Sequence, residues 1–285
     1  FLISNFDLLK DQFKKLKYSV KMTQVKNIFK PKLPNDLKII NIDLKFKNAF
    51  DVPIKSSSKF VLKSLNLAHK LGLDERVAGI INCPINKNLL KKKIGVTEFL
   101  ASKCLVKKNS EVMIIGNENL MVSPITTHLK ISEISKKLNK SIIIEKVKTI
   151  NNWFKKQFGK KPKIAILGLN PHNDEYRFNS EEKKIIIPAV KLLKKMNIQL
   201  SGPIPGDTIF INDYKHFDII VGMYHDQVLA PFKSLFKFNA INITLGLKYI
   251  RVSPDHGIAA DKILKKKSNP LSLIKCIDFI SKLNK

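Results

Sequence analysis

The stretch IIVGMYHDQ, residues 219–227, carries the pattern on which the fold prediction rests. An apolar run ends in a glycine, and His225 follows within a few residues. The stretch IAILGLNPH, residues 164–172, repeats this order and delivers His172 after a turn. Apolar runs that release polar residues at their carboxyl ends are typical of strands buried in a parallel or mixed sheet, where ligands usually bind.

The same pattern extends in both directions along the chain and predicts an α/β fold. Short Ile- and Val-rich runs predict strands at Phe1–Ser4, Leu37–Ile42, Val77–Asn82, Val112–Ile115, Leu120–Ser123, Lys163–Leu167, Asp218–Met223 and Ala240–Leu245. Amphipathic periodicity predicts helices at Asp7–Lys17, Ser57–Leu71, Ile94–Lys103, Ser132–Lys137, Ser141–Phe158, Glu181–Met196 and Pro270–Leu283. Residues Gly116–Asn119 are expected to form a hairpin turn, and the lysine runs Lys91–Lys93 and Lys265–Lys267 are expected to be exposed.

The net charge of the chain suggests a second class of function, that of a nucleic-acid-binding protein. Its 285 residues include 52 Lys and Arg against 23 Asp and Glu, a net charge of +29. Such a balance is typical of proteins that bind nucleic acid. Only Arg76, Arg177 and Arg251 are arginines, however, and the lysines are spread along the whole chain. We interpret the charge as a general drift toward lysine, and keep a basic nucleic-acid-binding protein as the alternative from another class.

The cysteines and the N-terminal sequence predict the cellular compartment of the protein. Three cysteines lie far apart without a CxxC pair, which predicts buried free thiols in a reducing compartment. The sequence contains no signal-peptide pattern and no apolar run as long as a membrane span, so a cytoplasmic location is expected. The chain opens on Phe-Leu-Ile-Ser without an initiator Met, and we expect an N-terminally truncated fragment.

Three histidines follow predicted strands and are candidate metal ligands. His128, in SPITTHL (123–129), joins His172 and His225 at intervals of 44 and 53 residues. Three ligands from separate loops suit a catalytic divalent metal with an open position, although spacing alone does not make them converge. Each histidine could instead bond to backbone in its turn. Asp226 could orient His225 or bind directly.

Arg251 is a candidate for binding an anion, because it stays an arginine where almost every other basic position is lysine. Its planar guanidinium suits a bidentate contact with carboxylate or phosphate, and a surface arginine is the equally weighted alternative. The sequence contains no GxGxxG fingerprint, no Walker-type phosphate loop and no GxSxG nucleophile elbow.

Several longer stretches together resemble one family. They are CPINK (83–87), GVTEF (95–99), ITTHL (125–129), GLNPH (168–172), SGPIPGDTIF (201–210), MYHDQ (223–227), LAPFK (229–233), INITLGL (241–247) and IRVSPDHG (250–257). In this order and spacing they resemble the 4-hydroxythreonine-4-phosphate dehydrogenases of pyridoxal 5′-phosphate biosynthesis, over nearly the whole chain.

The resemblance implies an isocitrate/isopropylmalate dehydrogenase-like fold with two α/β domains and an active site in the interdomain cleft at a homodimer interface. We expect the first domain at 1–92 plus 258–285 and the second at 93–257. The second domain is expected to carry most metal and substrate residues and the dimer interface.

The resemblance also implies the chemistry and its residues. NAD would accept a hydride from 4-phosphooxy-L-threonine, and loss of CO₂ would give 3-amino-2-oxopropyl phosphate. His128, His172 and His225, drawn from both subunits, would bind a divalent metal, with Zn²⁺ favoured by three imidazoles and Mg²⁺ or Co²⁺ possible. Thr97, Lys233, Asn242 and Arg251 would bind the substrate. Catalysis would be metal-assisted, with Lys233 and Asp226 as candidates and the NAD contacts unassigned.

Two features depart from the family pattern. Val96 stands where the family usually has a histidine that contacts the substrate. This keeps open a paralogous dehydrogenase acting on 4-phospho-threonate or 4-phospho-erythronate. The chain also begins after the first strand and the Gly/Pro-rich loop of the family.

Overall fold

A computed structural model describes residues 1–29, 36–90, 95–105, 111–263 and 268–283. Residues in contact divide it into two compact units. Unit 1 comprises residues 1–77, 84–103 and 257–269, and unit 2 comprises residues 78–83, 104–256 and 270–285. The lysine runs 91–93 and 265–267 lie outside the described residues.

Unit 1 contains a small parallel sheet whose described strands are β1 (Leu2–Ser4), β2 (Met22–Gln24) and β3 (Leu37–Asn41), in the order β1-β3-β2. Its helices are α1 (Phe6–Lys15), α2 (Ile54–Gly72) and α3 (Val96–Lys103). Helix α1 begins where the Asn5 side chain accepts a hydrogen bond from the Leu8 amide at 2.9 Å, which satisfies one of the unpaired N–H groups of the first turn.

Unit 2 is built on a mixed sheet with eight described strands in the order β4-β11-β10-β5-β6-β9-β7-β8. The strands are β4 (Ile80–Ile81), β5 (Val112–Gly116), β6 (Met121–Thr126), β7 (Ile164–Leu167), β8 (Leu200–Ile204), β9 (Ile219–Tyr224), β10 (Ile241–Leu245) and β11 (Arg251–Pro254). Strands β6, β9, β7 and β8 are parallel, whereas β5 and β10 run antiparallel to their neighbours. Parallel strands cannot be joined by a tight turn and need a longer crossover, usually a helix, and the chain between β6 and β9 contains such connections.

The helices of unit 2 are α4 (Ile131–Lys137), α5 (Lys140–Phe158), α6 (Ile187–Lys195), α7 (His225–Phe236) and α8 (Leu271–Leu283). Alternation along the strands separates two apolar clusters. The larger packs α5, α6 and α8 against one set of strand residues, such as Ile114, Val221 and Ile243. The smaller packs α7 against the alternate set, such as Ile115 and Ile220. Successive strand side chains point to opposite faces, so the two clusters lie on opposite faces of the sheet.

The predicted mixed α/β character and the large sheet are confirmed, and so is the hairpin between β5 and β6. Strands β2, β8 and β11 and helix α7 were not predicted. The predicted helix at Glu181–Met196 begins instead as a π-helical turn over Glu182–Ile186, followed by α6. Within the described residues, no helix is both long and apolar enough to cross a membrane.

Two further expectations differ from the structure. Helix α8, which the predicted division placed in the first domain, belongs to unit 2, because Cys276 and Ile280 are buried in the larger apolar cluster. The three cysteines are free thiols, but only Cys104 and Cys276 are buried. Cys83 is exposed, because it lies beyond the end of β4 rather than within the sheet.

Candidate functional site

The carboxyl ends of β6, β9 and β7 form one edge of the sheet in unit 2, here called the histidine edge. His128 lies two residues beyond β6, His225 begins α7 directly after β9, and His172 lies five residues beyond β7. The three strands are parallel, so their carboxyl ends emerge on the same side. The fold therefore places all three sequence-predicted histidines at this edge.

Two of these histidines lie side by side. The ring centroids of His128 and His225 are 5.8 Å apart, with the ring planes tilted by 37°. Imidazoles bound to one zinc ion at about 2.0–2.1 Å hold their ring centres roughly 5–6 Å apart, so the pair fits a shared divalent ion. Within one chain, the described residues contain no group of three or more His, Cys, Asp or Glu suited to a metal. His172 does not complete the set there.

His225 is oriented by its neighbour in sequence. Its Nδ1 lies 2.6 Å from Asp226 Oδ1, which leaves Nε2 as the ring nitrogen that would face a metal. A carboxylate on the second ring nitrogen is the usual partner of a metal-binding histidine, because it fixes the tautomer and raises the basicity of the ring. Of the two roles considered for Asp226, the geometry supports orientation.

A buried carboxylate holds the turn that leads to His172. Glu182 is fully buried, and its Oε1 accepts hydrogen bonds from the amides of Leu169 at 2.7 Å and Asn170 at 2.8 Å. Gly168 permits this close packing, since a Cβ there would overlap the side-chain oxygen of Asn173 and lie 3.1 Å from Glu182 Oε1. Glu182 thus determines the path of the backbone just before His172.

The turn itself has an uncommon backbone. Residues 172–176 all have φ between +49° and +57°, in the left-handed region. Such conformations cost non-glycine residues roughly 1–2 kcal/mol each and occur mostly singly. Asn173 offsets part of this cost, because it is buried and its Nδ2 donates to Tyr176 Oη at 3.0 Å and to the Pro203 carbonyl at 3.3 Å. His128 is also left-handed, with φ of +52°.

Gln227 joins the ends of two strands at the histidine edge. Its Oε1 accepts a hydrogen bond from the Met223 amide at 2.6 Å, and its Nε2 donates to the Gly168 carbonyl at 2.7 Å. This single side chain therefore fixes the start of α7, with His225, relative to the end of β7. It belongs to the MYHDQ stretch but was not selected from the sequence.

Lys233, on α7, forms an ion pair with a residue that sequence reasoning missed. Its Nζ lies 3.2 Å from Asp255 Oδ2, and the lysine side chain is 46% exposed while the aspartate is 11% exposed. Burial raises the pKa of the Asp255 carboxyl, and the nearby Lys233, His256 and His225 act against that rise. Asp255 is part of the IRVSPDHG stretch, which was its only signal.

The α7 face of the sheet becomes polar on its far strands. By register, Asn242 and Thr244 of β10 lie opposite Ser253 and Arg251 of β11. Asn82, just beyond β4, bonds to this group, and we call these five residues the polar strip. They alternate with apolar residues that face the larger cluster. The polar strip places two predicted substrate residues, Asn242 and Arg251, on one face.

Arg251 is buried and bonded within the protein. It is 3% exposed, its Nε donates to Asn82 Oδ1 at 2.6 Å, and its Nη1 donates to Thr244 Oγ1 at 2.7 Å. The alternative of a surface arginine is therefore wrong. Nearby Asn242 Oδ1 is buried without a hydrogen-bond partner among the described residues, which marks a polar position that a ligand could satisfy.

The remaining predicted substrate residue lies in the other unit. Thr97 is the second residue of α3, in unit 1, next to Val96. The residues that sequence reasoning missed, Glu182, Gln227 and Asp255, act through hydrogen bonds or ion pairs formed only in the folded chain.

Comparison with known proteins shows which family this chain belongs to. The model of the family described as "Pyridoxal phosphate biosynthetic protein PdxA" matches residues 1–280. The chain belongs to this family. A relative from Sulfurihydrogenibium sp. (strain YO3AOP1), named 4-hydroxythreonine-4-phosphate dehydrogenase, is 41% identical over 93% of this chain and 85% of its own length. A relative of the same name from Aquifex aeolicus is 38% identical over 81% of this chain and 73% of its own length.

Solved structures agree with the PdxA assignment. The crystal structure of 4-hydroxythreonine-4-phosphate dehydrogenase from Klebsiella pneumoniae has a TM-score of 0.87 at 26% identity, covering 99% of this chain and 89% of that one. A terephthalate 1,2-cis-dihydrodiol dehydrogenase from Burkholderia xenovorans, at 17% identity and a TM-score of 0.66 over 99% of this chain and 88% of that one, shows a likeness of fold alone. The family resemblance predicted from the sequence is confirmed.

Proposed function

We propose that this PdxA-family chain is an oxidoreductase that carries out the NAD-dependent oxidative decarboxylation of 4-phosphooxy-L-threonine to 3-amino-2-oxopropyl phosphate and CO₂. The observation that carries the proposal is the 41% identity, over 93% of the chain, to a relative named for this activity. The adjacent rings of His128 and His225 at the histidine edge support it. The relatives named above give no support to a nucleic-acid-binding protein.

The histidine edge is the proposed metal site. His128 and His225 would bind a divalent ion, with Asp226 holding the His225 ring through Nδ1. A bound divalent ion would lower the pKa of the substrate hydroxyl and stabilise negative charge on its oxygen. Three imidazole ligands favour Zn²⁺, with Mg²⁺ or Co²⁺ as alternatives.

We propose that the third imidazole comes from a second copy of the chain, so that the active enzyme is a homodimer. The observation in support is that His172 does not join His128 and His225 in a metal-binding group within the described part of one chain. His172 is nevertheless exposed on a turn anchored by Glu182, where another subunit can reach it. A monomeric form would then be inactive.

The charged groups that α7 brings together fit the proposed substrate, which carries a phosphate, a carboxylate and an ammonium group. Lys233 offers a partly exposed cation for an anionic group, and Asp255 offers an anion for the ammonium. Arg251 and Asn242, on the polar strip, would bind another polar group of the substrate. Held at several points, the substrate hydroxyl would be oriented toward the hydride acceptor.

The hydride acceptor is proposed to be NAD⁺, which takes up the hydride from the carbon that bears the oxidised hydroxyl. The chain has no GxGxxG fingerprint, so the nucleotide would bind without the Rossmann turn.

The experiment uses the purified full chain loaded with Zn²⁺, Mg²⁺ or Co²⁺ in turn. NADH formation from 4-phosphooxy-L-threonine is followed by absorbance, and CO₂ release is measured in parallel. We expect one NADH for each CO₂, with both lost after treatment with a chelator and restored by metal. A dimeric, metal-loaded protein that forms neither product would contradict the proposal.

A second candidate is a paralogous dehydrogenase that acts on 4-phospho-threonate or 4-phospho-erythronate. The observation that favours it is Val96, whose side chain has no hydrogen-bond donor at the position where the family resemblance leads us to expect a histidine. The two functions are separated by kcat/KM measured side by side on the amino and hydroxy acids. A higher value for either hydroxy acid would favour the second candidate.

A further inference from the structure

A cavity of about 630 Å³ lies in unit 2 at the end of the sheet opposite to the histidine edge. Its walls come from the β5–β6 hairpin, the residues just before β6, β7 and β9, and the last turns of α5 and α8. Strands β6 and β9 are each six residues long, so roughly 20 Å of strand separates the two ends. The cavity is therefore separate from the proposed metal site.

The inner wall of this cavity is apolar and aromatic. Phe154 and Phe158 of α5 have ring centroids 5.3 Å apart, and both line the cavity. Phe279 of α8 lines it too and stacks on Trp153, with 18° between the ring planes. Rings held this way form a preformed aromatic wall, which favours apolar groups because little conformational entropy is lost on binding.

The mouth of the cavity is basic. Five lysines and three carboxylates line it, namely Lys160, Lys163, Lys215, Lys275, Lys282, Glu118, Asp218 and Asp278. Two of the lysines are already paired, Lys160 with Asp218 at 2.6 Å and Lys275 with Glu118 at 3.0 Å. The other three lysines face a single further carboxylate, so the lining has an excess of positive charge. A concave wall focuses this field on an anion.

We propose that this cavity binds a small anionic aromatic molecule, with its ring against the phenylalanines and its phosphate or carboxylate among Lys163, Lys215 and Lys282. The volume lies within the ordinary range of ligand pockets, about 300–1,000 Å³. An apolar wall combined with a few charged groups at the mouth is the usual composition of such sites. The site does not depend on the function proposed above.

Isothermal titration calorimetry on the full chain tests the proposal with three probes at low ionic strength. They are 1-naphthyl phosphate, uncharged 1-naphthol and inorganic phosphate. We expect 1-naphthyl phosphate to bind one molecule per chain, at least tenfold more tightly than either of the other two. Equal affinity for 1-naphthol would overturn the anionic requirement, and equal affinity for inorganic phosphate would overturn the aromatic one.

Charge-reversal variants locate the probe. The double variant Lys163→Glu and Lys282→Glu should weaken binding of 1-naphthyl phosphate at least tenfold. Lys155→Glu with Lys156→Glu, which changes the net charge equally on exposed residues of α5 outside the lining, should leave it within twofold. Thermal melts check that both proteins fold.

The last comparison distinguishes the two ends of the sheet. Lys233→Glu reverses one charge at a proposed substrate residue outside the cavity lining, and binding should persist in that variant. Loss of binding in Lys233→Glu together with retention in the cavity double variant would assign the probe to the proposed active site and overturn the inference. Absence of binding by 1-naphthyl phosphate at millimolar concentration would overturn it as well.

Discussion

The histidine edge and the polar strip both carry residues predicted for one active site, yet they are built in opposite ways. His128 and His172 are exposed on loops with left-handed backbone. Arg251, in contrast, is 3% exposed within a strand and donates hydrogen bonds to two neighbouring side chains. Side chains on loops contribute little to the stability of the fold, whereas a buried cation bonded within a sheet supports the fold and the site together.

The largest expected effect tests the loop side of this contrast. His225→Ala should reduce kcat/KM and metal affinity by roughly a thousandfold or more, since it removes one of the proposed ligands. The free energy of unfolding of the metal-free protein should hardly change, because the ring is partly exposed and Asp226, which contacts it, is exposed too.

Metal content and denaturant unfolding measure the two outcomes for His225→Ala. His69→Ala, on α2 in unit 1, is the matched histidine control and should keep its metal. Full metal content in His225→Ala would contradict the ligand assignment.

The second effect tests the polar strip. Arg251→Lys should lower the free energy of unfolding by about 2–4 kcal/mol, because an ammonium cannot reproduce the two directed contacts to Asn82 and Thr244. Urea unfolding measures this loss. Arg177→Lys is the control, since that side chain is 73% exposed and its single ion pair to Asp174 is 3.5 Å long. Equal stability of the two variants would contradict the view that the polar strip supports the fold more than exposed side chains do.

The third prediction concerns a buried residue that supports the exposed histidine edge. Glu182→Gln removes a buried carboxylate that orients the turn before His172, so metal affinity should fall roughly 10–100-fold, as for other residues that orient a ligand. The free energy of unfolding should fall by about 1–3 kcal/mol, since an amide replaces one accepting oxygen. Calorimetric metal titration of the purified full chain reports the first change.

Glu181→Gln is the neighbouring control for Glu182→Gln. It loses only the partly exposed bonds to Ser135 and Asn170. A larger loss of metal affinity in Glu181→Gln than in Glu182→Gln would contradict the role given to Glu182 and show that Glu181 orients the turn instead.

The smallest effect concerns pH. Burial raises the pKa of Asp255 in the folded protein, so the native state binds more protons than the unfolded state between the two pKa values. The contribution of Asp255 to stability is therefore complete below its unfolded pKa and declines as pH rises through its folded pKa. As the pH rises above the ordinary pKa of an aspartate, about 4, Asp255→Asn should lose less stability than the wild type. An identical pH profile of unfolding in both proteins would contradict this.

The elements that the sequence predicted are those whose periodicity matches their burial. Strands such as Ile219–Tyr224 alternate between two buried faces and read as uninterrupted apolar runs. Helix α7 was missed because Pro231 lies in its interior and interrupts the pattern. Strands β2 and β8 were missed because β2 has only three residues and β8 contains Gly202 and Pro203, which are uncommon within strands.

The candidate site was predictable to the extent that its residues follow strands. The three histidines could be selected because each lies just beyond an apolar run. Glu182 and Asp255 could not, since their importance comes from partners 12 or more residues away in sequence, such as Asn170 and Lys233. The proposed donation of His172 by a second chain could not be derived from spacing either, because no pattern within one sequence describes contacts between two copies.

The left-handed run at 172–176 has a consequence for engineering a more heat-resistant form of this chain. Glycine adopts such backbone without the steric cost that other residues bear, so positions in this run are places where stability can be gained by a single substitution. Glu175 is exposed and is the natural choice, whereas Asn173 is buried and bonded to Tyr176 and Pro203. The same change would loosen the segment that carries His172, so a rise in melting temperature would be gained at the expense of catalytic rate.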